Sequence, residues 1–203
     1  MHPPKTTQTT LATADEQDNY GLASSLPVSL KELPPQVIAD LRTDHAGEVG
    51  AVWIYKGILF CTRDPQLRAF AERHIATEQS HLERVKEWLL FKHYSLLLPV
   101  WRITGFLTGA LPALFGPRAV YATIETVESF VDQHYEEQVQ SLAAKPELLE
   151  LLQTLKSCQA DEISHRNEAA LACGTLKIAF PLRLWCAMVA WGSRTAVAIC
   201  RYV

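Results

Sequence analysis

The sequence predicts an all-α protein built on a four-helix bundle. In four long segments, apolar residues recur at alternating steps of three and four positions, which places them on one face of a helix. Prolines open or separate the segments at Pro34-Pro35, Asp64-Pro65 and Lys145-Pro146, and proline is tolerated in a helix's first turn. The predicted helices run over about 34–59, 66–92, 117–143 and 147–173.

The predicted domain covers residues 34–203, and residues 1–33 are predicted to be a disordered tail. The tail is rich in Thr, Ser and Pro and has little apolar periodicity, which is typical of segments that form no core. Its acidic residues outnumber its two lysines, Lys5 and Lys31, unlike a secretory signal or an Arg-rich presequence. The length of the chain suits one domain with a sizeable core.

Charge and cysteine content argue against two classes of protein. The formal net charge is −3, without the basic excess of nucleic-acid-binding proteins, so no nucleic-acid partner is expected. The five cysteines are odd in number and include no Cys-x-x-Cys pair. We therefore predict no disulfide framework and expect a reducing compartment.

Each predicted bundle helix carries a glutamate in the middle of its apolar stripe. These residues are Glu48, Glu78, Glu128 and Glu162, with His81 and His165 three positions after the second and the fourth. Each half of the chain thus supplies one Glu followed by one Glu-x-x-His. A buried carboxylate is costly unless it is paired or bound to a metal.

This residue set predicts a dinuclear metal site. Positions i and i+3 share a helix face, and di-iron or di-manganese sites in bundles take one Glu from each of two helices and a Glu-x-x-His from each of the others. Mixed oxygen and imidazole ligation suits iron or manganese. The alternative is a set of internal salt bridges, but Arg and Lys are scarce on these stripes, and unpaired buried charges are strongly destabilising.

Polar neighbours of these residues are candidates for supporting roles. Asp161 and Asp44 are candidate acceptors for the ring N–H of His165 or His81, because metal-bound histidines usually have such a partner. Which acid contacts which histidine stays open at this point.

Two further histidines and one tyrosine remain as candidates near the site. His45 and His74 are either neighbours of the ligands or ordinary core histidines. Tyr135 lies seven positions after Glu128 on the same stripe. It is a candidate catalytic residue, as a hydrogen-bond donor or electron relay, with plain packing as the alternative.

An apolar segment joins the two halves. Residues 91–124 include no acidic residue, and the apolar stretch 95–116 is long enough to cross a bilayer, which takes about 20 residues. Arg102 and the interrupting glycines and prolines favour instead a helical hairpin that lies at an interface or caps the core.

The last segment, 175–203, also has no acidic residue. It is predicted to form an amphipathic helix with a wide apolar face and four basic residues, Lys177, Arg183, Arg194 and Arg201. One interpretation is a core-packing helix with solvated arginines, and the other is attachment to an anionic membrane surface. Together the two acid-free segments favour peripheral membrane association.

The same residues resemble a known family. The run Leu41-Arg42-Thr43-Asp44-His45-Ala46-Gly47-Glu48, followed by Ile54-Tyr55-x-Gly57, is similar to the opening motif of demethoxyubiquinone monooxygenases. Other matching motifs are Glu78-x-x-His81, Pro99-Val100-Trp101, Gly105-Phe106, Gly109-Ala110, Val127-Glu128, His134-Tyr135 and Asp161-Glu162-x-x-His165. The resemblance covers about 34–203.

The resemblance implies a ferritin-like di-iron enzyme that hydroxylates a polyprenyl benzoquinol with O2 in ubiquinone biosynthesis. It implies two iron ions held by Glu48, Glu78, His81, Glu128, Glu162 and His165. An external electron donor is expected, such as NADH, a reductase or the reduced substrate. Partner proteins of quinone biosynthesis are also implied, as is a place on the cytoplasmic face of a bacterial inner membrane, or on the mitochondrial inner membrane of a eukaryote.

Two alternatives belong to other functional classes. One is an iron-storage or ferroxidase protein on the same bundle, against which the apolar segments argue, because storage cages have hydrophilic exteriors. The other is a non-catalytic quinone- or lipid-binding protein that keeps the metal only for folding.

Overall fold

The computed structural model describes residues 33–175 and 177–203, and all regular structure in these ranges is helical. The helices are α1 (Pro35–Cys61), α2 (Pro65–Lys86), α3 (Leu98–Ala113), α4 (Pro117–Leu142), α5 (Leu149–Cys173) and α6 (Phe180–Cys200), with short 3-10 helices at Phe91–His93 and Pro146–Leu148. The all-α prediction is therefore confirmed. The predicted tail, 1–33, lies outside the described residues except for Leu33.

Local signals set most of the helix ends. Helices α1, α2 and α4 each begin with a proline in the first turn, and the Asp64 side chain accepts a 2.8 Å hydrogen bond from the Leu67 N–H. Gly174, at φ +77°, follows the end of α5. The predicted extension of the second helix to residue 92 is wrong, because α2 ends at Lys86 and the chain turns so that Trp88 and Leu89 enter the core.

Two hydrophobic clusters form the core, and α1, α2, α4 and α5 contribute to both. The first cluster includes Val37, Leu41, Val85, Trp88, Leu142, Leu151 and Leu155. The second includes Ile54, Ile58, Leu67, Phe70, Val120, Ile124 and Ala169. On each of these four helices, the glutamate of the predicted site lies in sequence between residues of the two clusters.

The segment between the halves forms one helix, α3, and the predicted hairpin is wrong. The glycines of α3 allow close contact with α1 and do not form a turn. A Cβ on Gly109 would lie 1.9 Å from the Ile54 carbonyl oxygen, and one on Gly105 would lie 2.4 Å from that of Gly50. The absence of these side chains lets α3 pack directly on the backbone of α1. Proline in the first turn and near the last residue of α3 leaves the middle of the helix intact.

The C-terminal helix α6 packs on α4 and α1 and exposes an apolar face. This face comprises Phe180, Leu184, Met188 and Trp191, which are spaced by four, four and three positions. Arg201 does not belong to the predicted solvated basic fringe, because it forms a 2.9 Å ion pair with Asp40 of α1. Across residues 33–175 and 177–203, no helix is both long and apolar enough to cross a membrane.

Candidate metal centre

The six side chains predicted as ligands come together inside the protein. One group joins Glu48, Glu78, His81 and Glu162, and a second joins Glu78, Glu128, Glu162 and His165. Within each group, one oxygen or nitrogen atom from every residue lies within 4.8 Å of the others. Glu78 and Glu162 belong to both groups, so the two possible metal positions are adjacent and share two carboxylates.

The ion-pair contacts within the groups join the Nδ1 atoms of the two histidines to the glutamates. His81 Nδ1 lies 2.9 Å from Glu162 Oε1, 3.7 Å from Glu78 Oε2 and 3.8 Å from Glu48 Oε2. His165 Nδ1 lies 3.1 Å from Glu78 Oε1 and 3.5 Å from Glu162 Oε2. All of these residues are buried.

Most of these facing atoms have no hydrogen-bond partner. Among the described residues, the buried atoms without a partner include Glu48 Oε2, Glu78 Oε1, both oxygens of Glu162, and Nδ1 of His81 and His165. Buried polar atoms in native proteins are almost always satisfied. Carboxylate oxygens and imidazole nitrogens that converge without hydrogen bonds form a donor set suited to iron or manganese. The residues therefore fit a pair of such ions.

Without a cation, the centre carries excess negative potential. Burial raises the pKa of Glu48 well above its ordinary value, and the carboxylates of Glu78 and Glu162 add to this shift. Burial likewise raises the pKa of Glu128, reinforced by the same two carboxylates. Four carboxylates this close do not all ionise without positive charge between them.

Interactions between the glutamates and the histidines offset part of this electrostatic repulsion. Burial raises the pKa of Glu78, but the imidazoles of His165 and His81 outweigh it and hold that pKa at about 2. Burial lowers the pKa of both histidines, yet the carboxylates of Glu162 and Glu78 raise it to about 12 for His81 and about 9 for His165. In the metal-free protein the histidines thus act as the cations of the centre.

Two tyrosines each donate a hydrogen bond to a glutamate of the centre. Tyr135, seven positions after Glu128, donates a 2.5 Å hydrogen bond to Glu48. Tyr55, seven positions after Glu48, donates a 3.2 Å hydrogen bond to Glu128. Each lone glutamate is therefore held by a tyrosine from the other half of the chain. Sequence reasoning singled out Tyr135 but missed Tyr55, although the repeated spacing of seven would have identified it.

Of the two aspartates predicted to contact a histidine of the centre, Asp161 does so and Asp44 does not. Asp161 Oδ2 lies 3.0 Å from His81 Nε2, so Asp161 accepts from His81 and not from His165. Within the part of the chain that the structure describes, Asp44 forms no hydrogen bond or ion pair with either of these histidines and lies 3.2 Å from His134 Nε2 instead. The spacing of four between Asp44 and Glu48 places Asp44 one turn before Glu48 on α1.

The two additional histidines have different surroundings. His74 lies beside the centre, with its ring centroid 4.0 Å from that of His165, and it connects Tyr55 at 3.2 Å to Glu168 at 3.0 Å. His45 stacks on Tyr94 at 3.8 Å between ring centroids. It is therefore a core histidine, and burial lowers its pKa to about 4.

A cavity of about 370 Å³ reaches the centre. All four glutamates of the centre line it, and most of the remaining wall consists of small and apolar residues of α1, α3, α4 and α6. Thr104 of α3 and Met188 of α6 line the cavity and are also exposed to solvent. The cavity therefore opens to the surface between the two helices formed by the acid-free segments.

Comparison with known proteins identifies the family. The sequence model of the family described as "Ubiquinone biosynthesis protein COQ7" matches residues 36–200. The chain belongs to the COQ7 family. The match includes all six side chains of the centre and both helices that flank the mouth of the cavity.

Curated relatives are about one-third identical to this chain. A Dictyostelium discoideum protein named "NADPH-dependent 3-demethoxyubiquinone 3-hydroxylase, mitochondrial" is 32% identical over 69% of this chain and 66% of its own length. The Rhodospirillum rubrum "3-demethoxyubiquinol 3-hydroxylase" is 34% identical over 63% and 60%, and the Saccharomyces cerevisiae "5-demethoxyubiquinone hydroxylase, mitochondrial" is 32% identical over 64% and 63%. The matches thus span less than two thirds of these relatives.

The charge balance predicts that the metal-free protein loses stability as the pH rises from 6.5 to 9. Glu48 and Glu128 have raised pKa values in the folded state, so their protonated forms favour folding. Their contribution to the free energy of unfolding is therefore lost as they deprotonate with rising pH. His165 acts in the same direction, since its stabilisation is complete below 6.5 and is lost as pH rises through about 9. Glu78, with a folded pKa of about 2, loses its contribution only in acid.

Calorimetry of metal-free and metal-loaded protein over this pH range measures the effect. Each 1 kcal/mol lost lowers Tm by about 2–4 °C for a chain of this size. Metal loading should flatten or reverse the slope, because ligands bind metal in their deprotonated forms. Glu48→Gln should make the fall of Tm with pH shallower in the metal-free protein, whereas Glu150→Gln, at an exposed position, should not change it. A metal-free Tm that is constant or rises from pH 6.5 to 9 would contradict this description of the centre.

Proposed function

We propose that this protein is a di-iron monooxygenase that hydroxylates a demethoxyubiquinol ring with O2 in ubiquinone biosynthesis. We also propose that α1, α2, α4 and α5 form a ferritin-like four-helix bundle around the iron pair. The observation that carries the proposal is the buried centre of four glutamates and two histidines at the end of an apolar cavity. Family membership and the names of the relatives support the reaction.

The proposed ligand assignment follows the two groups of side chains. Glu48 and His81 would hold one iron, Glu128 and His165 would hold the other, and Glu78 and Glu162 would bridge them. When bound, the iron pair supplies oxygen activation and electron transfer, which side chains alone do not provide.

The protein would contribute orientation, exclusion of water and hydrogen bonds. Tyr135 and Tyr55 fix the carboxylates of Glu48 and Glu128 through their hydroxyl groups. Burial raises the pKa of both tyrosines well above its ordinary value, so they remain protonated donors at physiological pH. Tyr135 therefore acts mainly by positioning Glu48, which is our proposal for the tyrosine that the sequence indicated.

The size and opening of the cavity suit a quinol with a long tail. Its volume of about 370 Å³ lies in the range of small-molecule sites, roughly 300–1,000 Å³, and accommodates a substituted ring. A polyprenyl tail would leave through the mouth between Thr104 and Met188. Outside the mouth it would meet the exposed apolar residues of α3 and α6.

The reaction also needs electrons from outside the protein. Inserting one oxygen atom into a ring C–H bond consumes O2, two electrons and two protons, and releases one water. Mitochondrial relatives are named NADPH-dependent, so we propose a reduced nicotinamide as the ultimate electron source. This proposal adds NADPH to the NADH that was expected from the sequence. Electrons would still be able to reach the centre through the reduced substrate ring.

We further propose that the protein attaches to a membrane surface through α3 and α6. Ile103 and Leu107 on α3 and Leu184 and Trp191 on α6 are exposed apolar side chains. Exposed basic residues accompany them: Arg102, Lys177, Arg183 and Arg194. This combination favours adsorption to anionic lipid, at the inner membrane of a bacterium or a mitochondrion. Partner proteins of quinone biosynthesis could bind the same face.

The hydroxylase proposal predicts a product heavier by one oxygen atom. Iron-loaded protein given a short-tailed demethoxyubiquinol, a reductant and ¹⁸O2 should yield a ring-hydroxylated product with one ¹⁸O, detected by mass spectrometry. Glu162→Ala should abolish turnover, because Glu162 belongs to both metal groups.

Exposed Glu150→Ala on the same helix is the matched control and should retain full turnover. Rapid oxidation of excess Fe²⁺ without any labelled product would favour the ferroxidase alternative. Quinol binding without oxidation of either would favour a non-catalytic quinone-binding protein.

Membrane attachment predicts that the double substitution Leu184→Ser and Trp191→Ser weakens flotation with anionic liposomes. Removing this much apolar contact should lower the apparent partition coefficient roughly tenfold or more. Leu171→Ser removes an apolar side chain of α5 that is even more exposed than Leu184 and Trp191, and it should leave flotation unchanged. Equal flotation of the double variant and the wild type would remove α6 from the proposed surface.

A further inference from the structure

A buried polar cluster interrupts the apolar wall of the cavity. Thr43 and Asp44 of α1 and His134 of α4 all line the cavity, and each is more than nine-tenths buried. None of the three belongs to the metal groups. A polar cluster in such a wall is costly unless its atoms are satisfied, so its hydrogen bonds are informative.

The hydrogen bonds of the cluster use only one side of the Asp44 carboxylate. Asp44 Oδ1 accepts a 2.5 Å hydrogen bond from Gln138 Nε2 and lies 3.2 Å from His134 Nε2. Thr43 Oγ1 donates to the Asp40 carbonyl at 2.6 Å and lies 2.9 Å from His134 Nε2. Asp44 Oδ2 is buried and has no hydrogen-bond partner among the described residues.

Asp44 therefore lines the cavity with one carboxylate oxygen, Oδ2, that has no hydrogen-bond partner among the described residues. Gln138 and His134 fix the carboxylate through Oδ1, which restricts its rotation and keeps Oδ2 in place. A buried acceptor without a partner is strongly disfavoured, so a ligand that brings a hydroxyl donor to Oδ2 gains more than it would from a satisfied surface.

The cluster is also close to the metal centre. Asp44 precedes Glu48 by one helical turn on α1, and His134 immediately precedes Tyr135, whose hydroxyl contacts Glu48. A ring bound at Asp44 would thus lie on the Glu48 side of the centre.

We propose that Asp44 is a substrate-binding residue whose Oδ2 accepts a hydrogen bond from a ring hydroxyl of the quinol. This inference rests on the proposed function and deepens it. A hydroquinone presents hydroxyl donors, whereas the oxidised quinone and a ring with both hydroxyls O-alkylated present only acceptors, which a carboxylate repels. The subsite therefore selects the reduced ring and sets its orientation toward the metal centre.

Binding selectivity tests this subsite without turnover. Under anaerobic conditions, titration calorimetry on the iron(II)-loaded protein compares a short-tailed demethoxyubiquinol with its di-O-methyl ether, which has no hydroxyl donor. The wild type should bind the quinol about 10- to 100-fold more tightly, the range for a hydrogen bond to a charged group. Asp44→Asn should bring this ratio close to one while the iron content stays unchanged.

Asp40→Asn is the matched control. Asp40 lies one turn earlier on α1, is also buried, and pairs with Arg201 without lining the cavity. It should leave the ratio unchanged even if the unfolding temperature falls, whereas a merely structural role for Asp44 would predict the same ratio in both variants.

Two results would overturn the proposal. One is a wild-type ratio near one, which decides the question even if Asp44→Asn does not fold. The other is a folded Asp44→Asn protein with the wild-type ratio. The ¹⁸O assay separates these outcomes from failure of the proposed function: hydroxylation without selectivity removes only the subsite, and selectivity without hydroxylation removes only the reaction.

Discussion

Burial of four carboxylates in one small volume is the constraint on which the rest of the structure depends. The hydrophobic clusters on either side exclude water, so repulsion among the glutamates is poorly screened. Two histidines offset part of the charge, but the pKa values of Glu48 and Glu128 stay raised. Two divalent cations would relieve this repulsion and occupy the atoms that lack hydrogen bonds, so stability and metal binding are coupled.

The two halves of the chain solve this problem in the same way. Each supplies a lone glutamate, a tyrosine seven positions later and a Glu-x-x-His, and each tyrosine supports the glutamate of the other half. The symmetry does not extend to the cavity. Its polar cluster draws Thr43 and Asp44 from α1 and His134 from α4, so the two halves contribute unequally to the wall of the cavity.

Periodicity and spacing were sufficient to predict the all-helical fold, most helix ends and the convergence of six side chains. They were insufficient where tertiary contact decides. Gly105 and Gly109 indicate a turn in isolation, yet they permit the close packing of α3 on α1. Asp44 and Asp161 were equivalent as candidate partners for the histidines, because only the packing of α1 on α4 and of α2 on α5 determines which histidine each one contacts.

We propose that six side chains hold two metal ions side by side. Anomalous X-ray diffraction from iron-loaded crystals, recorded on both sides of the iron edge, tests it directly. We predict two peaks about 3.5–4 Å apart, the usual separation in two-metal sites, with Glu78 and Glu162 contacting both. A single peak, or iron bound away from Glu48, Glu128 and the two histidines, would contradict the account.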